Sequence, residues 1–451
     1  MFARVLIANR GEVAVRVIRA CRELGVATVA VYSTADRDTL HVRLADQAVH
    51  IGPPPPADSY LNIPSLIAAA TTTGCDAVHP GWGFLAENAA FAAACEDNDL
   101  VFIGPRPETI ETMGDKVAAK RAMAAAGLPL VPGSNDAAGF SEARSLAEEI
   151  GFPVLLKAAA GGGGRGMRLV ESPAELEAAF RMAASEAQAA FSNGSLYVEK
   201  AVVGARHVEI QVLGDGEGGV LTLGERDCSI QRRHQKLIEE APSPAVSESL
   251  RAEMEDAARR ACETLRYRGA GTLEFLLDAD GRFYFIEMNT RLQVEHPVTE
   301  LATGIDVVRA QIAVAAGEGL PAEGAAPLRG QAIEFRINAE DPARDFLPAP
   351  GTITRFRPPL GPGVRVDTHV FEGYTVPPFY DSLLAKVIIW AENRPAAIAR
   401  ARRALSELEL EGVPTTRALA MDIIETEGFA SGDYTTAFLA EANLAALGGH
   451  S

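Results

Sequence analysis

Within the first 32 residues the hydrophobic period switches from strand to helix and back, and this constrains the fold more than any other feature. The run Arg4 to Ala8 is apolar and strand-length, and Gly11 marks a turn. Val13, Val17, Cys21 and Leu24 then share one stripe of a helix, and a second apolar run follows from Ala27 to Tyr32. Strand, helix and strand in that order make a β-α-β unit, whose strands run parallel. Further apolar runs at Asp76 to His79 and Leu100 to Ile103 alternate with alanine-rich helical stretches, so the unit extends to a parallel α/β sheet ending near Pro107.

From Met113 the texture changes. A helix carrying Lys116 and Lys120 leads to the break GLPLVPGS, then to a helix, a strand ending at Lys157, a glycine loop and a strand from Met167 to Val170, which reads as a small inserted subdomain. Its next helix has a clear start in Ser172-Pro173-Ala174-Glu175, which combines an N-cap, a first-turn proline and a capping-box glutamate. Short strands and Pro/Gly turns begin around Gln331, and a helix follows near Arg394 to Leu410. With 451 residues, 47% of them apolar, two or three packed domains are expected. The boundaries read from the texture are 1–112, 113–330 with the subdomain at about 131–203, and 331–451.

Composition removes several function classes. A net charge of −18 disfavours nucleic acid as a partner, because phosphate backbones need a basic face. No apolar run reaches the roughly 18 residues of a membrane span. The five cysteines are widely spaced without a C-x-x-C pair, which argues for reduced core thiols in a cytoplasmic protein rather than disulfides or a zinc site. The 42 basic residues include only six lysines, at 116, 120, 157, 200, 236 and 386. Lysines that survive such depletion are expected where a compact ammonium cannot be replaced by a guanidinium fork.

Three constellations carry chemistry. Gly161, Gly162, Gly163, Gly164, Arg165 and Gly166 lie between two strands and follow Lys157. Consecutive glycines expose amides that suit a lid closing over phosphates, although a glycine run alone also suits a mobile surface loop. The segments GTLEF (271–275) and FYFIEMN (283–289), joined through Asp278-Ala279-Asp280-Gly281, predict a hairpin. With a connection of two or four residues Glu274 lies opposite Phe285, so Glu274, Glu287 and Asn289 share one face and the two carboxylates are diagonal; an odd-length loop puts the glutamates on opposite faces. Hard oxygens so spaced suit Mg²⁺. The following residues are read as extended because Pro297 disfavours helix before it, so Arg291, Gln293 and Glu295 point one way as an anion holder, a polar positioner and a carboxylate base. His296 falls on the other side as a structural residue. The run Glu225 to Lys236 reads by default as a solvated charged loop, against which stands its rare lysine.

Taken in order, LIANRGEVAVR, HPGWGFLAEN, IGPRPETIETMGDK, KAAAGGGGRGMRLV, GERDCSIQRRHQK, FIEMNTRLQVEHPVTE, INAEDP and YTVPPFYDSLLAK resemble the biotin carboxylase component of biotin-dependent carboxylases, from about residue 2 to residue 440. The resemblance implies an α/β ATP-grasp fold: a Rossmann-like N-terminal domain, a nucleotide-clamping domain with an inserted lid, and a C-terminal domain. It implies nucleotide contacts from Lys116, Lys157, the 161–166 lid, Glu199, Lys200, Val202, His207, Gln231 and His234, and from Glu274 and Glu287. The Mg²⁺ or Mn²⁺ ligands match Glu274, Glu287 and Asn289. The bicarbonate site matches Lys236, Arg291, Gln293 and Val294, and the general base matches Glu295. Groups around biotin match Trp82, Gly83, Gln231 and Arg336. Trp82 stands where the family usually has tyrosine, so that hydroxyl is missing. No lysine lies between two methionines, so biotin is expected on a carrier protein or domain, with a carboxyltransferase as further partner and a homodimer as assembly. A carbamoyl-phosphate-forming ligase shares bicarbonate phosphorylation but would need an ammonia route and usually a tandem duplicate. A catalytically dead subunit would have lost one of Glu274, Glu287, Arg291 or Glu295, and all are present.

Overall fold

A computed structural model describes residues 1–134, 139–158, 167–191 and 193–441. The opening reading holds. Strands β1 (Arg4–Ile7), β2 (Ala27–Ser33), β3 (Gln47–Gly52), β4 (Ala77–His79) and β5 (Val101–Phe102) form a parallel sheet in the order β3-β2-β1-β4-β5, with helix α1 (Gly11–Glu23) between β1 and β2. The stripe drawn from the sequence packs inward: Val13, Val17 and Cys21 are buried, and Leu24 lies against the same cluster. All five cysteines are unpaired and buried.

The glycine segment lies between paired strands. β6 (Val154–Ala158) runs antiparallel to both β7 (Met167–Val170) and β8 (Leu196–Lys200), with Lys157 opposite Met167. Gly161, Gly162, Gly163, Gly164 and Gly166 themselves fall outside the described residues.

A larger sheet positions the chemistry. It contains β9 (Arg206–Asp215), β10 (Val220–Arg232), β11 (Gln235–Ala241), β12 (Arg268–Leu277) and β13 (Phe283–Asn289), and continues through β14 (Gln331–Asn338), β15 (Val364–Thr368) and β16 (Leu383–Ala391). The order is β13-β12-β9-β10-β11-β14-β16-β15, so the sheet crosses position 330/331 without a break. The hydrogen-bonded β11/β14 pair, Ile238 opposite Phe335, makes that junction. No helix among the described residues is long and apolar enough to cross a membrane.

Candidate active site

Strand alternation builds a charged row across this sheet. His207, Glu209 and Gln211 share one face of β9, while Val208, Ile210 and Val212 pack into the core on the other. Glu209 is paired with Arg226 of β10 on one side and with Glu274 of β12 on the other, and Glu274 is paired with Glu287 of β13. Directly opposed residues share a face at about 5 Å, so three carboxylates and an arginine stand in line.

The Glu274/Glu287 pairing corrects the expected diagonal relation. Leu277 pairs with Phe283, so the connection is the five-residue loop 278–282, an odd length that alone would put the glutamates on opposite faces. A bulge restores them to one face: Phe275 pairs with Phe285 but Glu274 pairs with Glu287, leaving Ile286 as the extra residue. Asn289, opposite Thr272, stays on that face and donates to Glu274 Oε1 at 2.9 Å.

Lys236 gathers the site. Its ammonium donates to Glu209 Oε2 at 2.6 Å, Glu274 Oε1 at 2.9 Å and Glu295 Oε1 at 2.6 Å. Burial opposes the charge, but the surrounding anions outweigh it and hold the ammonium well above its usual range. Glu274 is buried too, yet Lys236 and His207, whose Nε2 lies 3.0 Å away, keep its carboxyl well below the usual value. Glu287 is raised, first by the charge of Glu274 opposite and then by burial.

The segment after β13 also departs from expectation. The strand ends at Asn289, and helix α2 (His296–Thr303) begins directly after Glu295, whose φ of −80° and ψ of 7° are not extended. The residue before Pro297 is His296, and proline is at home in the first turn of a helix. Arg291 consequently pairs elsewhere than with Glu295. Its guanidinium donates to Glu87 at 2.8 Å, Asn289 at 2.9 Å and Gln293 at 3.1 Å, while Gln293 donates to Glu274 at 3.3 Å. Glu295 instead accepts from Lys236 and, at 3.0 Å, from Arg336. Burial would raise its carboxyl; Lys236, Arg336 and Arg226 outweigh burial and hold it well below the usual range. His296 is buried and faces the carbonyl of Gln293 through Nδ1 at 2.8 Å.

The run 225–236 is not a solvated loop. Residues Glu225 to Gln231 are buried in β10, and each charge has a partner: Glu225 with Arg251, Arg226 with Glu209, Asp227 with Arg206. Only the turn at Arg233, His234 and Gln235 is exposed. Gln231 pairs with Lys236 across β10 and β11.

A second cationic group lies on the subdomain side. Glu199 of β8 pairs with Lys157 at 2.5 Å and with Lys120, which hold its carboxyl down against burial. Lys116 starts a helix capped by Asp115, and its ammonium is lowered by burial and by Lys157. Lys200 turns aside: its ammonium donates to the carbonyls of Gly151 and Phe152 at 3.0 and 2.9 Å. Val202 lies in the connection from β8 to β9. Trp82 and Gly83 sit in a loop after β4, where both Gly81 and Gly83 have φ near +65° to +69°, and the Trp82 indole donates to Glu12 at 3.1 Å.

Several members of this site escaped the sequence reading. Glu209 had a usable signal, two residues from His207 on an alternating strand. Arg226, Glu87 and Glu239, which accepts from Arg336 Nε at 2.6 Å, had none, because their partners come from distant segments. Arg226 is completely buried and donates to Glu209, Gln211, Thr299 and Thr272.

A large, mostly antiparallel sheet with paired glutamates on one face, beside a parallel α/β unit, is the architecture of the ATP-grasp class. Family models agree: residues 1–110 match the biotin carboxylase N-terminal domain, 115–323 the carbamoyl-phosphate synthase L chain ATP-binding domain, and 334–441 the biotin carboxylase C-terminal domain. The chain belongs to the biotin carboxylase family. It is 55% identical over 444 residues to the biotin carboxylase of Nostoc sp., covering 98% of this chain and 99% of that one, and 52% identical over 442 residues to biotin carboxylase 1 of Bacillus subtilis, covering 97% and 98%. The Campylobacter jejuni biotin carboxylase superposes with a TM-score of 0.94 at 48% identity over 98% of this chain and 99% of that one. The biotin carboxylase domain dimer of Hydrogenobacter thermophilus 2-oxoglutarate carboxylase, solved with MgADP, ADP and bicarbonate, gives 0.92 at 48% identity over 98% of each chain.

Proposed function

We propose that the Lys236-centred cluster is where this chain uses ATP and bicarbonate to carboxylate biotin, and that Glu295 is its general base. The observation that carries this reading is the position of Glu295: buried, ionised, and held between Lys236 and Arg336. A base kept ionised by two cations can accept the proton of bicarbonate as the anion attacks the γ-phosphoryl group of ATP, releasing ADP. Lys236, Arg291, Gln293 and Val294 are assigned to the bicarbonate anion. The carboxyphosphate formed gives CO₂ and phosphate; phosphate takes the ureido proton of biotin, Arg336 stabilises the oxyanion left on the ring, and the ureido nitrogen then adds to CO₂ to give carboxybiotin.

The donor set fits a hard cation, since Glu274, Glu287 and Asn289 offer oxygens on one sheet face. These residues would hold Mg²⁺ or Mn²⁺, which neutralises phosphate charge during transfer. Nucleotide contacts are assigned to Lys116, Lys157, Glu199, Val202, His207, Gln231 and His234, with the 161–166 lid. Lys200 is assigned a backbone contact, because its ammonium is engaged elsewhere. Biotin is assigned to Trp82, Gly83, Gln231 and Arg336. The division at 112/113 and 330/331, a carrier-borne biotin, a carboxyltransferase partner, a homodimer and a cytoplasmic setting complete the reading, the last supported by five unpaired thiols.

Purified protein with MgATP is expected to release ADP only when bicarbonate is present, and faster with free biotin. Glu287→Gln is expected to abolish that turnover while unfolding at the wild-type temperature. ATP turnover indifferent to bicarbonate overturns the reading.

A further inference from the structure

Of the six lysines, Lys386 is the one that is completely buried. It stands on β16 directly opposite Arg336 of β14, with Asp367 of β15 on its other side, so the three share a face. Its ammonium donates to the carbonyl of Val294 at 2.8 Å and lies 3.2 Å from Glu12 Oε2 and 4.0 Å from Asp367. The adjoining carbonyl, Gln293, faces His296 Nδ1 at 2.8 Å. In a trans peptide the N–H points opposite to the C=O. With both carbonyls drawn toward the interior, the amides of Val294 and Glu295 face away from Lys386 and His296, as neighbouring donors suited to an anion. The two opposed cations thus act on one residue pair: Arg336 holds the Glu295 carboxylate, and Lys386 holds the carbonyl just before it.

We infer that the buried Lys386–Glu12 pair is a positioning device for bicarbonate, fixing the 293–295 backbone so that its amides and the Glu295 carboxylate meet the anion. This rests on the reading of Glu295 and Val294 given above. Glu12 extends the device, because its other oxygen accepts from the indole of Trp82, so one buried carboxylate steadies the residues assigned to bicarbonate and to biotin. An ammonium is required because a carbonyl and a carboxylate must be met by one compact donor in a fully enclosed space.

Removing Lys386 alone strands the Glu12 charge, so the test is the double variant Glu12→Gln/Lys386→Met, with Glu12→Gln as an isosteric second variant. Steady-state ADP release by the whole chain is measured against bicarbonate and against MgATP. The double variant is expected to raise the KM for bicarbonate about tenfold or more, as loss of a charge-assisted hydrogen bond predicts, with the KM for MgATP unchanged. Glu12→Gln is expected to raise the bicarbonate KM severalfold. A purely structural pair would shift both KM values together or lower kcat alone, and either pattern overturns the inference. An unchanged bicarbonate KM in Glu12→Gln overturns it even if the double variant does not fold. Failure of the underlying reading is separable, since the unmodified chain would then show no bicarbonate dependence.

Discussion

Glu295 sits among groups that could make it either a base or a strut, and its surroundings define a variant that tells the roles apart. Its two oxygens accept from Lys236 and Arg336, while Lys116, Lys157 and Glu199 lie on the subdomain side with their own pairings. Glu295→Gln keeps the shape and removes the proton acceptor. Calorimetric titration is expected to give wild-type MgATP affinity, and steady-state assays a bicarbonate-dependent turnover lowered by roughly 10² or more, the usual cost of losing a general base. If nucleotide affinity and thermal stability fall together instead, Glu295 is a strut. At this scale residue type and spacing pointed to Glu274, Glu287, Asn289, Arg291, Gln293 and Glu295, the other assigned positions came from the family resemblance, and Glu209 could have been found. Arg336 as the direct partner of Glu295 could not, because β14 reaches it only through the β11/β14 pairing.

At the level of elements, a bulge and a crowded crossing set the metal-side geometry. The bulge at Ile286 turns an odd connection into a shared glutamate face, and no sequence signal distinguishes it from a regular strand. Three residues before Glu274, Gly271 lies against the buried Tyr267, whose hydroxyl donates to the Ala270 carbonyl at 3.0 Å. A methyl at Gly271 would come within 2.5 to 2.7 Å of the Tyr267 hydroxyl and ring, which cannot retreat from an enclosed site. Gly271→Ala is therefore expected to cost about 1–3 kcal/mol by overpacking, read as a lower thermal midpoint, and to reduce turnover by displacing β12. A wild-type midpoint with full turnover would show that the crossing yields easily.

Across the whole molecule, Glu300 fastens the N-terminal unit to the large sheet. Standing on the helix that follows Glu295, it accepts from Arg16 of α1 at 2.8 Å, from Arg365 of β15 at 2.7 Å and from the Val307 amide at 2.8 Å. Burial would raise its carboxyl, but Arg16 and Arg365 outweigh burial and lower it. Because the folded value is depressed, this stabilisation is complete at neutral pH and is lost as pH falls below about 4. Glu300→Gln removes one carboxylate from two arginines that keep Asp306 and Asp367 as partners, so it is expected to cost about 1–3 kcal/mol, the range for losing charge-assisted hydrogen bonds. Scanning calorimetry should show a lower midpoint at neutral pH, with the gap to wild type narrowing in acid. A gap that stays constant as the carboxyl protonates would place the stabilisation outside this ion pair.

The sequence by itself determined the parallel N-terminal unit, the antiparallel hairpin and the residue types of the site, because hydrophobic period and turn residues act over a few positions. Lysine depletion also singled out six positions as places for a compact ammonium, and at Lys386, with 0% exposure, that ammonium is fully enclosed. Only tertiary structure decided which charges meet. The charged row Glu287, Glu274, Glu209 and Arg226 depends on register between strands far apart in the chain, and the burial of residues 225–231 depends on a sheet that crosses position 330/331. A charged segment is read as solvated until its counter-charges are known, and here those counter-charges arrive from other strands and helices through long-range pairing.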